Sequence, residues 1–351
     1  MKMTFAETST VKWVRSEGYN YNFNKRTGEF VRWGKSTDDA DDPEVAPCPE
    51  ILDIEICTIC HGINGKPCPW CYKSNTANGT YMALDTFEEI LSRLPPMVTQ
   101  IAFGLGSIDA NPDTYDIFRA TRDAGIIPNA TINGDRMESE DYDSIAELLG
   151  ACAVSHYGDD DICFSAVNEL TNRGMVQVNI HKLLSKETYE ECFELVEKAK
   201  TDPRLAGLNA IVFLLLKPKG KRNELQSITS VDDYKRLIDH ALDLGVGFGF
   251  DSCSAGKFIE SVQGHENEKA FCQMAEPCES CSMSLYIDTN GRAFPCSFME
   301  GEDGWDEGVD VINCDSFLLD VWEHPAMVAF RNRKTLQHRC GNFNCPHFEG
   351  I

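Results

Sequence analysis

The sequence predicts an α/β protein built around a partial (β/α)6 barrel, followed by a small cysteine-rich hairpin and helix domain. Three observations support this fold class. Between residues 51 and 256, apolar segments of strand length alternate with segments of helical periodicity. The predicted strands are apolar on both faces, as expected for a parallel sheet covered by helices. After about residue 257 the alternation stops and cysteines become frequent.

Six strand–helix units make up the predicted barrel. Right-handed crossovers between parallel strands curl such a sheet into a barrel or a partial barrel. Functional groups in such folds lie at the carboxyl ends of the strands. The predicted pairs are 51–57 with 84–94, 98–104 with 111–125, 126–133 with 139–150, 151–157 with 161–174, 175–181 with 185–200 and 208–216 with 230–245, and residues 246–252 form a possible seventh strand.

Composition shifts divide the chain into three parts. Residues 1–50 read as an amino-terminal extension, with a hairpin around the Thr27-Gly28 turn and an acidic linker over 36–50. Residues 51–256 form the barrel. Residues 257–351 form a segment with a predicted hairpin and a predicted helix over 317–334, and with too few apolar positions to fold without a metal.

Charge and hydropathy exclude some classes of function. The formal net charge of −24 over 351 residues argues against broad nucleic-acid binding, which depends on cations that neutralise phosphates. No segment approaches the roughly 20 apolar residues of a membrane helix, and the amino terminus lacks the apolar run of a signal peptide. We therefore expect a cytoplasmic protein whose 16 cysteines bind metal or do chemistry rather than form disulfides.

Four cysteines follow the first predicted strand, at Cys57, Cys60, Cys68 and Cys71. Two pairs of C-x2-C spacing suit a tetrahedral zinc site. Three of the four thiolates could equally hold an iron–sulfur cluster, because both metals accept thiolate ligands. A structural zinc would occupy the catalytic end of the barrel, which favours the cluster.

The run Cys60, Cys68, Cys71 resembles the cysteine motif of the radical S-adenosylmethionine (radical SAM) superfamily. Members carry three cysteines after the first barrel strand, usually as C-x3-C-x2-C, with an aromatic residue before the third. Here Trp70 is that aromatic residue and Tyr72 follows, while the first spacing is longer, C-x7-C-x2-C. The resemblance implies a catalytic 4Fe–4S cluster on these three thiolates, with one iron open to S-adenosylmethionine, and it places Cys57 in the strand.

The resemblance also implies where S-adenosylmethionine binds. The superfamily has a Gly-Gly-Glu-type stretch after the second strand, and this chain has Gly104, Gly106 and Ser107 there, with Asp109 in place of the missing glutamate. Polar residues at the ends of later strands commonly line the same pocket. The implied cofactor-binding residues are Tyr72, Gly104, Gly106, Ser107, Asp109, Asn133, Ser155 and Asn179.

The carboxyl-terminal segment resembles the SPASM/twitch extensions of the superfamily, which hold auxiliary 4Fe–4S clusters. Cys281 is followed by Gly291 and, after four intervening residues, by Cys296, as in the family pattern. The remaining pattern is reduced to Cys340 and Cys345, which implies one auxiliary cluster, with Cys278 as a rival ligand. A structural zinc ribbon is the alternative, since four thiolates also suit zinc.

Enzymes resembling this layout abstract hydrogen from a substrate, most often a peptide or protein side chain, and receive electrons from a donor such as flavodoxin or ferredoxin. A small molecule or nucleoside is the alternative substrate, because a fifty-residue extension is short for a separate leader-binding domain. A different class also remains open, a non-enzymatic binding protein stapled by zinc.

Overall fold

A ten-stranded sheet forms the centre of the molecule. The computed structural model describes residues 3–36, 42–302 and 304–348. Seven strands of the sheet are parallel, in the chain order β5 to β11 across the sheet. They are β5 (Ile51–Glu55), β6 (Gln100–Gly104), β7 (Ile127–Ile132), β8 (Ala151–His156), β9 (Val178–Leu184), β10 (Ala210–Leu215) and β11 (Phe248–Phe250).

Helices follow the strands as the alternation predicts, so the partial barrel predicted from the sequence is confirmed. The helices bury apolar side chains such as Phe87, Ile117 and Leu237 against the sheet in one continuous core. They are α1 (Leu84–Arg93), α2 (Thr114–Asp123), α3 (Ser139–Leu148), α4 (Asp160–Asn172), α5 (Tyr189–Thr201), α6 (Val231–Leu244), α7 (Ala255–Ser261), α8 (Glu268–Met274) and α9 (Pro325–Arg339). No helix in the described ranges is long and apolar enough to cross a membrane.

The amino-terminal extension is an antiparallel sheet of four strands. Its strands are β1 (Thr4–Glu7), β2 (Val11–Arg15), β3 (Asn20–Asn24) and β4 (Phe30–Trp33). The predicted hairpin corresponds to β3 and β4, while β1 and β2 were not predicted. Tyr21 and Phe23 pack against Met97 and Met283, so the sheet covers the bottom of the barrel. Residues 37–41 of the predicted acidic linker lie outside the described residues.

The carboxyl-terminal hairpin continues the barrel sheet. Strand β12 (Ser284–Ile287) pairs in parallel with β5, and β13 (Arg292–Phe294) and β14 (Val309–Asp310) extend the sheet beyond it. The predicted hairpin is therefore present, and it is attached to the first barrel strand. The predicted last helix is broken at His324, where a π-helix (Phe317–Trp322) ends and α9 begins with Pro325.

One barrel strand is displaced from its prediction. The fifth strand was predicted over 175–181, but β9 runs from Val178 to Leu184. Its pairing with β10 continues through Leu184, and alternating burial supports the longer register. The displacement matters for the site, because it moves Asn179 from the carboxyl end of the strand to its amino end.

Candidate active site

Three thiols meet in the loop that leaves strand β5. Burial, together with the neighbouring thiols of Cys60 and Cys71, raises the pKa of the Cys68 thiol to about 12. Burial also raises the pKa of Cys60, although the Gly62 amide donates a hydrogen bond to its sulfur. Iron binding requires thiolates, so a metal would have to displace these protons.

A tight turn closes the long spacing between Cys60 and Cys68. Ile63 and Lys66 exchange backbone hydrogen bonds of 3.1 and 3.0 Å. Gly62 has a φ of +72°, and a Cβ there would lie 1.9 Å from the Lys66 carbonyl oxygen. The inserted residues thus form a compact turn, which returns the chain toward the other two thiols.

The glycine stretch after β6 supports this loop. Gly106 packs so closely that a Cβ would lie 2.0 Å from the Ile59 carbonyl oxygen and 3.1 Å from the Cys60 Cβ. The Ser107 amide donates to the Ile59 carbonyl at 2.9 Å, and the Ser107 hydroxyl accepts from the His61 amide at 2.9 Å. The close approach that requires glycine is therefore made to the cysteine loop.

Cys57 donates its thiol to a backbone carbonyl, although the nearby Cys60 thiol contributes to raising its pKa. Its side chain is fully buried, and its carbonyl accepts a hydrogen bond from the Gly106 amide at 2.9 Å. Its sulfur lies 3.7 Å from the Ile59 carbonyl oxygen, to which the thiol donates. This environment suits a structural cysteine at the end of the strand.

The loop after β10 holds the cysteine loop from the other side. Arg222 donates to the carbonyl oxygens of Asn75 at 3.0 Å, Ser74 at 3.3 Å and Cys68 at 3.5 Å. Gly220 has a φ of +105°, and a Cβ there would lie 2.4 Å from the Cys71 carbonyl oxygen. The loops that follow the first and sixth barrel strands are thus fastened together at the carboxyl edge of the sheet.

Two buried donors near the thiols have no acceptor. The Arg222 Nε and the Trp70 Nε1 lack a partner among the residues that the structure describes. A buried donor normally finds an acceptor, so each of them fits an absent group that carries acceptor atoms. A sulfide-containing cluster with S-adenosylmethionine would bring such atoms.

A zinc ion and an iron–sulfur cluster require different spacings of their thiolate ligands. In the described ranges, no three His, Cys, Asp or Glu side chains are close enough to hold one metal ion. Four thiolates on zinc would stand about 3.8 Å apart, given Zn–S bonds of about 2.3 Å in a tetrahedron. A 4Fe–4S cluster places each thiolate on a different iron and so separates them more widely.

Only some of the residues predicted to bind S-adenosylmethionine lie beside the cysteine loop. Gly106 and Ser107 lie against the cysteine loop, Gly104 lies against Glu55 on β5, and Asn133 is buried where β7 ends. Asp109 instead forms an ion pair of 2.7 Å with Arg136, with 37% of its side chain exposed.

Tyr72, Ser155 and Asn179 lie in three different surroundings. The Tyr72 hydroxyl is 3.2 Å from the Ser297 hydroxyl, and the Tyr72 ring stacks on Phe298. Ser155 is buried and bonds to Tyr157, whose pKa is raised by burial and by the thiol of Cys68. Asn179 bonds to Asn209 at the amino end of β9, so the structure removes it from the candidate site.

A second group of thiols gathers below the carboxyl-terminal hairpin. Burial, together with the Cys278 and Cys345 thiols, raises the pKa of Cys296 to about 12. Cys253, at the end of β11, has Cys278 and Cys296 as neighbours in the same way. This grouping of thiols agrees with the packing of helix α7, which follows Cys253, against the residue before Cys345. A Cβ on Gly256 of α7 would lie 3.4 Å from Asn344.

Two of the predicted auxiliary ligands, Cys340 and Cys281, are less closely associated with this second group of thiols. Cys340 ends helix α9 with an exposed side chain. Cys281 is fully buried, has a φ of +59°, and its thiol donates to the Met327 sulfur at 3.4 Å. Cys278 and Cys296 are among the charges that affect the Cys281 thiol, so Cys281 lies at the margin of the group.

A buried polar network joins the two thiol groups. Lys73 pairs with Glu55 at 2.9 Å and with Glu300, and it donates to the Tyr286 hydroxyl at 2.7 Å. The Tyr286 hydroxyl also lies 2.8 Å from Glu55. Burial raises the pKa of Glu55, while Lys73 and the hydrogen bonds lower it.

Sequence reasoning missed several of these residues. Lys217 pairs with Asp251 and bonds to Cys253, and Arg222 fastens the cysteine loop. The signal available was the basic run 217–222, which follows the sixth predicted strand in an acidic chain. Cys253 was visible in the sequence as one of several unassigned cysteines, and only its place after β11 distinguishes it.

The fold class predicted from the sequence, a partial barrel followed by a small carboxyl-terminal domain, is confirmed. No protein-family model matches the chain, and no curated protein sequence matches it.

The comparison with solved structures gives particular proteins. Streptococcus suis SuiB bound to precursor peptide SuiA superposes with a TM-score of 0.71 at 14% identity, covering 93% of this chain and 90% of that chain. SuiB bound to S-adenosylmethionine gives 0.70 at 13% identity, with coverages of 94% and 90%. Native anSMEcpe with bound AdoMet and Cp18Cys peptide gives 0.55 at 16% identity, with coverages of 80% and 82%.

Proposed function

We propose that this chain is a radical SAM enzyme that abstracts hydrogen from a peptide or protein side chain. The observation that carries the proposal is the group of three thiols, Cys60, Cys68 and Cys71, at the carboxyl end of the first strand of this barrel. Peptide complexes of SuiB and anSMEcpe with the same fold support the substrate class.

When bound together, a 4Fe–4S cluster with an open iron and S-adenosylmethionine supply a 5′-deoxyadenosyl radical, which abstracts hydrogen. The chain's own residues position these groups. Ser107 and Gly106 fix the cysteine loop from one side, and Arg222 fixes it from the other. The half-buried aromatic rings of Trp70 and Tyr157, which contact each other, limit the access of water to the thiols.

We propose one auxiliary 4Fe–4S cluster in the carboxyl-terminal domain. Its ligands are Cys278, Cys296 and Cys345, which lie together, with Cys253 as the fourth in place of Cys340. Cys281 keeps the structural role that its burial against Met327 supports. Lys217 would then place a positive charge beside the auxiliary thiolates.

The test is anaerobic reconstitution with iron and sulfide, followed by dithionite reduction with S-adenosylmethionine. We expect a brown protein with about eight irons per chain, and formation of 5′-deoxyadenosine. A colourless protein that binds zinc and forms no 5′-deoxyadenosine would refute the proposal in favour of the non-enzymatic alternative. Electron transfer from flavodoxin or ferredoxin can be tested in the same assay in place of dithionite.

A further inference from the structure

A pocket of about 730 Å³ opens at the edge of the site, between the cysteine loop, the loop after β10 and the carboxyl-terminal domain. Tyr72 and Lys73, directly after Cys71, line it, so an occupant would sit next to the proposed catalytic cluster. We call this the cationic pocket, and its lining includes Tyr72, Lys73, Lys219, Lys221, Arg222 and Phe348.

The lining of the cationic pocket has the opposite charge to the whole chain. Four cations and one carboxylate, Glu302, line it, although the chain carries 56 acidic and 32 basic residues. Lys219 pairs with Glu302 at 2.9 Å, and Lys73 is already neutralised by Glu55 and Glu300. The remaining positive charge is therefore carried by Lys221 and Arg222.

Those two cations have no carboxylate partner in the described part of the chain. Lys221 is exposed, and its backbone amide donates to the Ser74 hydroxyl at 2.8 Å. The Arg222 guanidinium donates to three backbone carbonyl oxygens and, within the described ranges, to no carboxylate. An acidic chain that leaves two neighbouring cations uncompensated beside its proposed active site favours an anionic ligand there.

Backbone geometry favours carboxylates over phosphates. Phosphate sites commonly use a nest of free backbone amides. Here the amides of Lys219, Lys221 and Asn223 already donate to Lys217, Ser74 and Gly220. Long side chains remain as the donors, and the opposite wall is aromatic, with Tyr72 stacked on Phe298 and Phe298 against Phe348.

We infer that the cationic pocket binds an acidic peptide segment, with carboxylates on Lys221 and Arg222 and an apolar side chain on the aromatic wall. This inference rests on the proposed function and specifies its substrate class. The pocket volume accommodates several side chains, as expected for a ligand larger than inorganic phosphate.

The test is fluorescence anisotropy with the reconstituted full chain in the presence of S-adenosylmethionine. The probe is a fluorescein-labelled nonapeptide with three glutamates around a central phenylalanine, and its analogues carry glutamine or lysine in place of the glutamates. We expect the glutamate peptide to bind about tenfold more tightly than the glutamine peptide, and the lysine peptide to bind most weakly.

Charge variants assign the preference to this pocket. Lys221→Gln should weaken the glutamate peptide about threefold without changing the glutamine peptide, and Lys221→Glu, whose negative charge offsets that of Arg222, should abolish the difference between them. Lys235→Gln, on α6 and paired with Asp239, is the matched control and should change neither affinity. Iron content and circular dichroism establish that each variant is folded.

Three results would overturn the inference. They are equal affinity for the glutamate and glutamine peptides, a preference that survives in Lys221→Glu, and displacement of the peptide by inorganic phosphate or ATP at lower concentration than by the unlabelled glutamate peptide. Formation of 5′-deoxyadenosine without peptide, measured in parallel, tests the proposed function separately. A chain that forms it but shows no charge preference keeps the proposed function and loses this inference.

Discussion

The Tyr286 hydroxyl lies 2.8 Å from the Glu55 carboxylate, and this contact joins the first barrel strand to the carboxyl-terminal hairpin. The two residues are 231 positions apart in the chain. Both are buried, and Lys73 bonds to both of them. The pairing of β5 with β12 thus places a buried polar contact, which we call the polar joint, between the two thiol groups.

Removing that hydroxyl should destabilise the joint. We expect Tyr286→Phe to lower the free energy of unfolding by about 2 kcal/mol, because a buried hydrogen bond to a charged group is lost. Urea unfolding followed by tryptophan fluorescence measures this. Tyr115→Phe is the control, since it removes a 2.7 Å bond to Asp141 at a half-buried site and should cost less than half as much. Equal losses in the two variants would contradict the special role of the joint.

The three-thiol assignment predicts a difference between neighbouring cysteines. Cys60→Ala, Cys68→Ala and Cys71→Ala should each abolish 5′-deoxyadenosine formation, because an open iron requires the other three to be ligated. Cys57→Ala should retain it, since the Cys57 thiol is directed at the Ile59 carbonyl. Iron content and product formation are measured together. Loss of one cluster in the Cys57 variant would show that Cys57 is a ligand.

The auxiliary ligands can be distinguished by iron content alone. We expect Cys253→Ala and Cys296→Ala to lower iron from about eight to about four per chain, and Cys340→Ala to leave it unchanged. The reason is that Cys253 and Cys296 lie in the thiol group, whereas Cys340 is exposed at the end of α9. The reverse result for Cys253 and Cys340 would restore the ligand set implied by the family pattern. Zinc in place of the missing iron would refute the auxiliary cluster.

Gly106 should be sensitive to a single methyl group. Gly106→Ala should reduce the iron of the catalytic cluster, because the added Cβ would lie 2.0 Å from the Ile59 carbonyl oxygen and displace the cysteine loop. Gly18→Ala, where a Cβ meets nothing within 4 Å, is the control and should keep full iron content. Normal iron content in the Gly106 variant would show that the loop can move without losing the metal.

Asp109 should contribute little to the binding of S-adenosylmethionine. Its carboxylate forms a half-exposed ion pair with Arg136, and exposed pairs contribute about 1 kcal/mol or less. We expect Asp109→Ala to change the dissociation constant by less than about fivefold, measured by equilibrium binding to the unreduced, reconstituted enzyme. A loss of tenfold or more would mean that Asp109 leaves Arg136 and replaces the absent glutamate.

The sequence by itself determined the barrel and the first cysteine group. Strand–helix alternation and apolar strands are local patterns, so they specify each element without knowledge of its neighbours. Cys60, Cys68 and Cys71 lie within twelve positions of one another, and a short loop keeps them together in any arrangement of the rest. The predicted hairpin over 284–296 is also present, because a hairpin is likewise specified by residues that are close together in the sequence.

Only the tertiary structure decided the long-range relationships. The family resemblance suggested Cys340 as an auxiliary ligand, whereas the fold places Cys253 beside Cys296 and leaves Cys340 exposed. The register of β9 moved Asn179 to the far end of the barrel, because pairing with β10 continues to Leu184. Arg222 reaches the cysteine loop because the loops that follow β5 and β10, which are far apart in the sequence, approach each other in the fold. These contacts depend on the packing of whole elements, which no local pattern of residues specifies.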